Sequence, residues 1–203
     1  MGYVWKRVRR SLKTKRNDID FQLKQHQLTE LRKCEDSGYL DLYFVDESHF
    51  SLTPYVPYAW QDKKSQILLP SSRSKALNVI GAMNRKNEIF YEVHETTINS
   101  DILISFIDKL CNQITKKTIL VLDNAPIHRS KKFKAKIEEW NALDLYIYFI
   151  PPYSPELNII EILWKHIKYF WLEFKAYESY NSLKKCLLET LGAFGLEHTI
   201  NFA

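Results

Sequence analysis

The sequence predicts an α/β protein in which a mixed β-sheet is flanked by α-helices. Several apolar runs of strand length contain β-branched residues and end in polar or turn-forming residues. Adjacent strands come first along the chain and helices then alternate with strands, which is the order of a mixed sheet covered by helices. The chain has 203 residues, of which 45% are hydrophobic and 14% aromatic, enough for one domain with a substantial core.

Residues 1–16 form a basic arm. They contain no acidic residue and seven cations, which are Lys6, Arg7, Arg9, Arg10, Lys13, Lys15 and Arg16. A cationic arm of this kind is typical of segments that bind nucleic acid, because lysine and arginine neutralise phosphates. We therefore predict nucleic-acid contacts for Arg7, Arg9 and Arg10. A solvated tail without a partner is the alternative.

A helix is predicted to follow the arm. Asp18 or Asp20 can cap its N-terminus, and apolar residues then recur at helical spacing. The helix is expected to end near Asp36, with Gly38 as its stop signal. We assign residues 1–38 to the basic arm and this linker helix.

The central part of the chain is predicted to form strands. Leu40–Phe50 is the first, and Tyr58–Gln61 is a short second strand beyond two prolines. Ala76–Met83 and Glu88–His94 are separated by four polar residues that signal a hairpin turn.

Helices and strands alternate in the remainder of the chain. Each helix is predicted from a capping residue followed by apolar residues at helical spacing, and each strand from a short apolar run. The predicted elements are, in order, a helix from Asn99 or Ser100 to Asn112, a strand Ile119–Leu122, a helix capped by Ser130, a strand Leu145–Ile150, a helix carrying Glu161 and a last helix Ser179–Leu191.

Two of the predicted strands run into aspartate. Asp46 follows the apolar run Leu42–Val45, and Asp123 follows Ile119–Leu122. Ligands bind at the carboxyl ends of strands in open α/β sheets, and a carboxylate there needs a positive partner. Taken alone, Asp123 also suits a residue that starts a turn. With Glu161 on a downstream helix, the three carboxylates are the ligands expected of a divalent-metal site.

Charge, cysteine content and the spacing of other residues limit the classes of protein to which the chain can belong. The net charge of +5 and the pI of about 8.9 are a mild indication of a polyanionic partner. Cys34, Cys111 and Cys186 are odd in number and far apart, so we expect buried thiols in a reducing compartment. No apolar run is long enough to span a membrane, and no secretory signal is visible. The six histidines show no HExxH spacing, which argues against a zinc hydrolase.

Three blocks of the sequence resemble the catalytic blocks of DDE transposases, most closely the bacterial insertion-sequence members of the mariner superfamily. They are VDES at Val45–Ser48, LDNAPIH at Leu122–His128 and PPYSPELNIIE at Pro151–Glu161. The last block, with Trp164 after it, is the most specific. The resemblance covers roughly Tyr39–Trp171.

The resemblance implies a ribonuclease H-like fold and a metal-binding catalytic triad of Asp46, Asp123 and Glu161. It places the DDE catalytic domain at residues 39–175, with a C-terminal helical tail at 176–203. Ile159 stands where a proline is common in the family, a departure that concerns the local turn and removes no carboxylate.

The implied activity is cleavage of DNA at element ends and strand transfer into target DNA. Such chemistry uses Mg²⁺, for which Mn²⁺ can substitute, because two divalent ions about 4 Å apart activate the nucleophile and stabilise an in-line displacement. The implied partners are the terminal inverted repeats and the target DNA. The active form is expected to be a homodimer, with a cytoplasmic, nucleoid-associated location in a bacterium and no membrane contact.

Family members carry helix-turn-helix modules ahead of the catalytic core, and this sequence begins at the basic arm that follows them. We therefore expect the C-terminal part of a transposase, or a separately encoded catalytic half. One alternative is a catalytically idle remnant that binds DNA or pairs with a full-length transposase. Another is a structure-selective nuclease of the same fold, against which the proline-rich block argues.

Further residues are candidates for supporting roles. Lys165 and Lys168 follow Glu161 on the same helical face and can meet phosphate, although a plain solvated face is the alternative. Asn124 and His128 are candidates for contacts around the metal ligands. His128 is expected either to contact DNA or to orient Asp123. The alternative is that His128 has only a structural role in the turn.

Three other residues of the motifs are predicted to lie outside the chemistry. Glu47 and Glu156 are expected to be local caps or surface acids. Tyr153, in the proline-rich block, is expected to shape the turn.

Overall fold

The computed structural model describes residues 15–56, 63–64, 66, 68 and 75–202. The arm residues Arg7, Arg9 and Arg10 and the predicted strand Tyr58–Gln61 lie outside these ranges.

A five-stranded mixed sheet forms the centre of the described structure, in the order β3-β2-β1-β4-β5. Its strands are β1 (Asp41–Phe50), β2 (Leu77–Met83), β3 (Ile89–His94), β4 (Thr118–Leu122) and β5 (Leu145–Phe149). The first three strands pair antiparallel, whereas β1, β4 and β5 are parallel to one another. This arrangement confirms the mixed sheet predicted from the order of the elements.

Helices cover both faces of the sheet, as predicted. They are α1 (Asp18–Asp36), α2 (Ser100–Cys111), α3 (Lys131–Ala142), α4 (Ile160–His166) and α5 (Tyr180–Gly192). A π-helical turn, Ile167–Trp171, extends α4. The cap of α1 is Asn17 and neither of the two predicted aspartates, because the Asn17 side chain accepts hydrogen bonds from the backbone N–H groups of Ile19 and Asp20.

The alternation of side chains along β1 divides the hydrophobic core into two layers. Leu42 and Phe44 pack with residues of α4 and α5 on one face. Val45 packs with residues of α2 and α3 on the opposite face. Consecutive residues of β1 therefore face different layers of the protein, which determines the surroundings of every polar side chain on this strand.

β1 confirms the predicted strand Leu40–Phe50, whereas the interpretation of Leu42–Val45 as a strand that ends at Asp46 is wrong. Its parallel pairing with β4 stops at Phe44 and Val121, but its antiparallel pairing with β2 continues to Phe50 and Leu77. Asp46 therefore lies inside the strand and not at its end, because β2 supplies hydrogen-bond partners after β4 has ended.

The cysteines are free thiols, as predicted. Cys111 is buried, whereas Cys34 and Cys186 are partly buried, so the prediction of three buried thiols was too strong. Within the described ranges, no helix combines the length and apolar character needed to cross a bilayer.

Candidate active site

Asp46, Asp123 and Glu161 line a single cavity of about 530 Å³. The other residues of its lining are Asn124, Ala125, Arg129, Ile150, Pro151, Pro152, Tyr153, Ser154, Pro155 and Asn158. The cavity thus brings together the second and third sequence blocks with the aspartate of the first.

Strand register explains the approach of the two aspartates. Phe44 of β1 pairs with Val121 of β4, and the same register continued by two residues places Asp46 beside Asp123. Both positions have the parity that faces the α4 layer. Ile160 and Leu163 anchor α4 in that layer, which brings the intervening exposed Glu161 to the mouth of the cavity.

Asp123 is held by a buried histidine. His128 is fully buried, and its Nδ1 lies 2.8 Å from Asp123 Oδ1 while its Nε2 lies 3.2 Å from Glu47 Oε1. Asp123 Oδ1 also accepts a hydrogen bond of 2.8 Å from the Ala125 N–H. The imidazole therefore connects two carboxylates that belong to neighbouring strand regions.

The contacts between His128 and the two carboxylates shift the pKa values of His128 and Asp123. Burial alone would lower the pKa of His128, but hydrogen bonds to Asp123 and Glu47 outweigh burial and raise that pKa to about 10. Burial would likewise raise the pKa of Asp123, but the hydrogen bonds from His128 and the Ala125 N–H hold it below the usual value. At neutral pH, the site therefore contains a histidinium ion between two carboxylates.

Asp46 has the opposite environment. Burial raises the pKa of Asp46 well above the usual value, and the negative charges of Glu161 and Glu47 raise it further. Its Oδ2 accepts one hydrogen bond of 3.1 Å from the indole N–H of Trp164. Desolvation also raises the pKa of Glu161, although Lys168 opposes this effect. This side of the cavity is deficient in positive charge.

The carboxylates of the cavity suit Mg²⁺ or Mn²⁺, which keep part of their coordination shell for water and phosphate. They do not suit an ion that the protein must coordinate completely. Among the described residues, no three His, Cys, Asp or Glu side chains are grouped closely enough to hold a metal by themselves. Mg²⁺ does not require such a group, because it binds through one or two carboxylates and completes its shell with water and substrate phosphate. The oxygen donors around an open cavity suit that mode.

The remaining predicted residues occupy the edges of the site. Lys168 lies on the π-helical turn, with its Nζ 4.8 Å from the ring centre of Tyr55 and 5.1 Å from that of Phe50. Lys165 is exposed on α4. The Asn124 amide donates to the Ile150 carbonyl and so connects the end of β4 to the proline-rich turn.

Sequence reasoning missed the contact of Glu47 and did not foresee that of Trp164. Glu47 is not a surface acid, since only 23% of its side chain is exposed and it contacts His128. The alternation of β1 was an available signal, because it sends Asp46 and Glu47 to opposite faces. Glu156 does behave as a surface acid, with Arg16 Nη1 2.6 Å from its Oε1.

Comparison with known proteins identifies the family. The family described as DDE superfamily endonuclease matches residues 41–184. An uncharacterized protein of Sinorhizobium fredii, y4pE/y4sA, is 31% identical over 65 residues, which are 32% of this chain and 44% of that protein.

Solved structures of the mariner Mos1 transposase share the fold. The Mos1 paired end complex with Mg has a TM-score of 0.65 at 19% identity, and the complex with Mn has 0.63 at 21%. Each match covers 95% of this chain and 60% of the other chain. The Mos1 catalytic domain alone has a TM-score of 0.56 at 17% identity, over 93% of this chain and 86% of that domain. The predicted ribonuclease H-like fold is thereby confirmed.

Proposed function

The chain belongs to the DDE superfamily of endonucleases, and we propose that it is the catalytic domain of a mariner-type DNA transposase that cleaves element ends and joins them to target DNA. The observation that carries this proposal is the convergence of Asp46, Asp123 and Glu161 on one cavity. Two of these carboxylates have raised pKa values, caused first by desolvation, which is the electrostatic signature of a site that accepts a cation.

Asp46, Asp123 and Glu161 would hold Mg²⁺ or Mn²⁺. The bound ions would lower the pKa of the attacking hydroxyl and neutralise charge on the phosphate. The protein itself supplies orientation: His128 fixes the Asp123 carboxylate, and Trp164 fixes the Asp46 carboxylate through its indole N–H. That the related Mos1 complexes contain Mn or Mg supports the choice of metal.

DNA is the proposed partner. Lys165 and Lys168 are next to Glu161 in the fold, and the arm residues Arg7, Arg9 and Arg10 add cations outside the described ranges. Contacts of this kind attach the protein to phosphates without selecting a sequence. The paired-end assemblies of Mos1 support a homodimer as the active form. A nucleoid location would follow from DNA binding.

Replacement of Asp123 by Asn tests the proposal. The assay uses the chain fused behind helix-turn-helix modules that recognise its terminal repeats, on DNA carrying those repeats, in Mg²⁺ and in Mn²⁺. The unmodified protein should cut and join, whereas Asp123→Asn should lose both activities by orders of magnitude because one negative charge of the metal site is gone. DNA binding should persist, because it depends on Lys and Arg.

Equal cleavage by the unmodified protein and Asp123→Asn would contradict the assignment of Asp123. An unmodified protein that binds the repeats but is inert with both metals would favour the idle remnant that pairs with an active transposase.

A further inference from the structure

The cavity is larger than the carboxylate site requires. Its volume of about 530 Å³ lies within the range of pockets that enclose whole organic ligands. Arg129 and the turn Pro151–Pro155 line the cavity together with the carboxylates, and we call these additional residues its second wall. A nucleoside next to a phosphate at the carboxylates would have this second wall within the same cavity.

Tyr153 on that wall has an unfavourable backbone conformation. Its φ is +60°, in the left-handed region that favours glycine, and such a conformation costs a non-glycine residue about 1–2 kcal/mol. The aromatic side chain does not compensate by complete burial, since Tyr153 is 44% exposed. Strain of this kind concentrates at ligand-binding sites, where an otherwise unfavourable residue has a use.

The wall is built on a fixed support. The neighbouring Ser154 is buried and its hydroxyl donates to the Pro152 carbonyl, 3.3 Å away. Asn124 attaches the start of the turn to the end of β4 through its hydrogen bond to Ile150. The position of Tyr153 relative to Asp123 is therefore determined by the protein and does not depend on a ligand.

Arg129 supplies a cation to the same wall. It lies at the end of the short 3₁₀ helix Pro126–Arg129 and is exposed. Arg129, Tyr153 and the three carboxylates line the same cavity. An exposed guanidinium and an aromatic ring in one cavity are suited to a phosphate and a base, respectively.

We propose that Tyr153 and Arg129 form a subsite for one unpaired nucleotide next to the scissile phosphate. The Tyr153 ring stacks on the base, and Arg129 binds the adjoining phosphate. The base is unpaired, because only a base outside the duplex stack presents its face to a side chain. This inference rests on the proposed function, which supplies the scissile phosphate, but its test requires no cleavage.

The test uses the full chain and a single-stranded DNA of ten nucleotides containing one 2-aminopurine, titrated in Ca²⁺ and followed by fluorescence. The unmodified protein and Tyr153→Phe should bind and quench the probe equally. Tyr153→Gly should lose the quenching and bind about tenfold more weakly, an effect typical of one stacked base. Arg129→Ala should weaken binding and reduce its salt dependence by about one counterion.

Tyr153→Gly separates binding from structure, because it relieves the strained backbone and should leave the melting temperature unchanged or higher. Tyr153→Asn, which tolerates the same conformation, serves as a second ring-free variant. Tyr39→Ala is the matched control: Tyr39 is an exposed aromatic next to Lys117 near the start of β1, and its loss should have no effect.

Quenching that persists in both ring-free variants would overturn the subsite, as would an unmodified protein that neither binds nor quenches the probe. Failure of the proposed function would appear differently, as a fusion of the chain with the helix-turn-helix modules that binds DNA but does not cut it.

Discussion

Asp123 and Asp46 face one cavity from neighbouring strands, yet the protein treats their charges in opposite ways. Asp123 has an internal cation, because His128 lies against it and is itself shared with Glu47. Asp46 accepts hydrogen bonds from the Trp164 indole and the Glu47 backbone N–H, and its strongest charged neighbours are further acids. The charge of Asp123 is therefore compensated within the protein, whereas that of Asp46 is not.

The difference shows how a cavity lined by three acids can remain folded without a bound cation. Three carboxylates with no internal cation would repel one another in a poorly solvated cavity, which is unfavourable to folding. The imidazolium of His128, which is fully buried, reduces that repulsion at Asp123. Asp46 and Glu161 keep the remaining negative charge, which would attract a divalent ion.

Removal of His128 should have the largest effect on stability. His128→Phe leaves Asp123 and Glu47 without their shared cation. We expect a loss of about 3 kcal/mol in the free energy of unfolding, at the low end for a broken buried pair because Asp123 is half exposed. Urea denaturation measures this loss, and His26→Phe on the exposed face of α1 is the control. A loss no greater than that of the control would mean that His128 does not neutralise Asp123.

Gly81→Ala should disturb the surroundings of Asp46, because the added methyl group would displace the ring of Trp164. A Cβ atom on Gly81 would lie 3.0 Å from the Trp164 ring, and this ring donates the hydrogen bond to Asp46. Overpacking of this kind destabilises by about 1–3 kcal/mol, and we also expect slower cleavage because Asp46 loses its orientation.

Gly192→Ala is the control for that substitution. Gly192 is the last residue of α5, and its Cβ atom would have only the Tyr91 hydroxyl at 4.0 Å. This change should therefore be neutral or stabilising in thermal melts. If Gly81→Ala is equally harmless in stability and cleavage, Trp164 does not orient Asp46.

Replacement of Asp46 by Asn and replacement of Asp123 by Asn should change the stability of the metal-free protein in opposite directions. Asp46→Asn removes an uncompensated charge and should stabilise by about 1 kcal/mol, as substitutions at strained functional sites commonly do. Asp123→Asn removes the partner of His128 and should destabilise by about 1 kcal/mol. Chemical denaturation in EDTA measures both, and changes of the same sign would abolish the distinction between the two aspartates.

The smallest expected effect concerns the pH dependence of stability, to which His128 and Asp46 should contribute in different pH ranges. The raised pKa of His128 contributes stability that is complete below about pH 6.5 and is lost as the pH rises through about 10. The raised pKa of Asp46 likewise contributes stability below about pH 4, which is lost as the pH rises through its folded pKa.

Denaturation of the metal-free protein at a series of pH values separates these contributions. His128→Phe should flatten the alkaline part of the profile and Asp46→Asn the acidic part. Unchanged profiles in both variants would place the titrating groups elsewhere in the protein.

The sequence was sufficient to predict the sheet, the helices and the three acids that line one cavity, because local signals mark the strands and helices that carry them. Apolar periodicity marked each strand and helix, and the turn residues marked their ends. The predicted strand Leu40–Phe50 already contained Asp46, but the apolar run Leu42–Val45 alone suggested that the strand ends there. The strand continues because β2 still pairs with β1 after the pairing with β4 has stopped.

The contacts around the carboxylates were less predictable because they join distant residues. His128 and Glu47 are 81 residues apart, and Trp164 and Asp46 are 118 apart. Alternation along β1 assigns Asp46 and Glu47 to opposite faces, but the partner on each face depends on how the helices pack. The fit of Trp164 over Gly81 is likewise a result of packing and has no local signal.

Asp46, Asp123 and Glu161 are proposed to hold a divalent ion, and a crystal of this protein soaked in Mn²⁺ shows directly whether they do. An anomalous difference map should show Mn²⁺ in the cavity, with oxygens of these carboxylates at about 2.0–2.3 Å and with room for a second ion about 4 Å away. The same crystals of Asp46→Asn should show weaker occupancy. An ordered cavity without Mn²⁺ at concentrations that saturate the solution-phase binding, or carboxylates more than about 10 Å apart, would show that these three residues do not form a metal site.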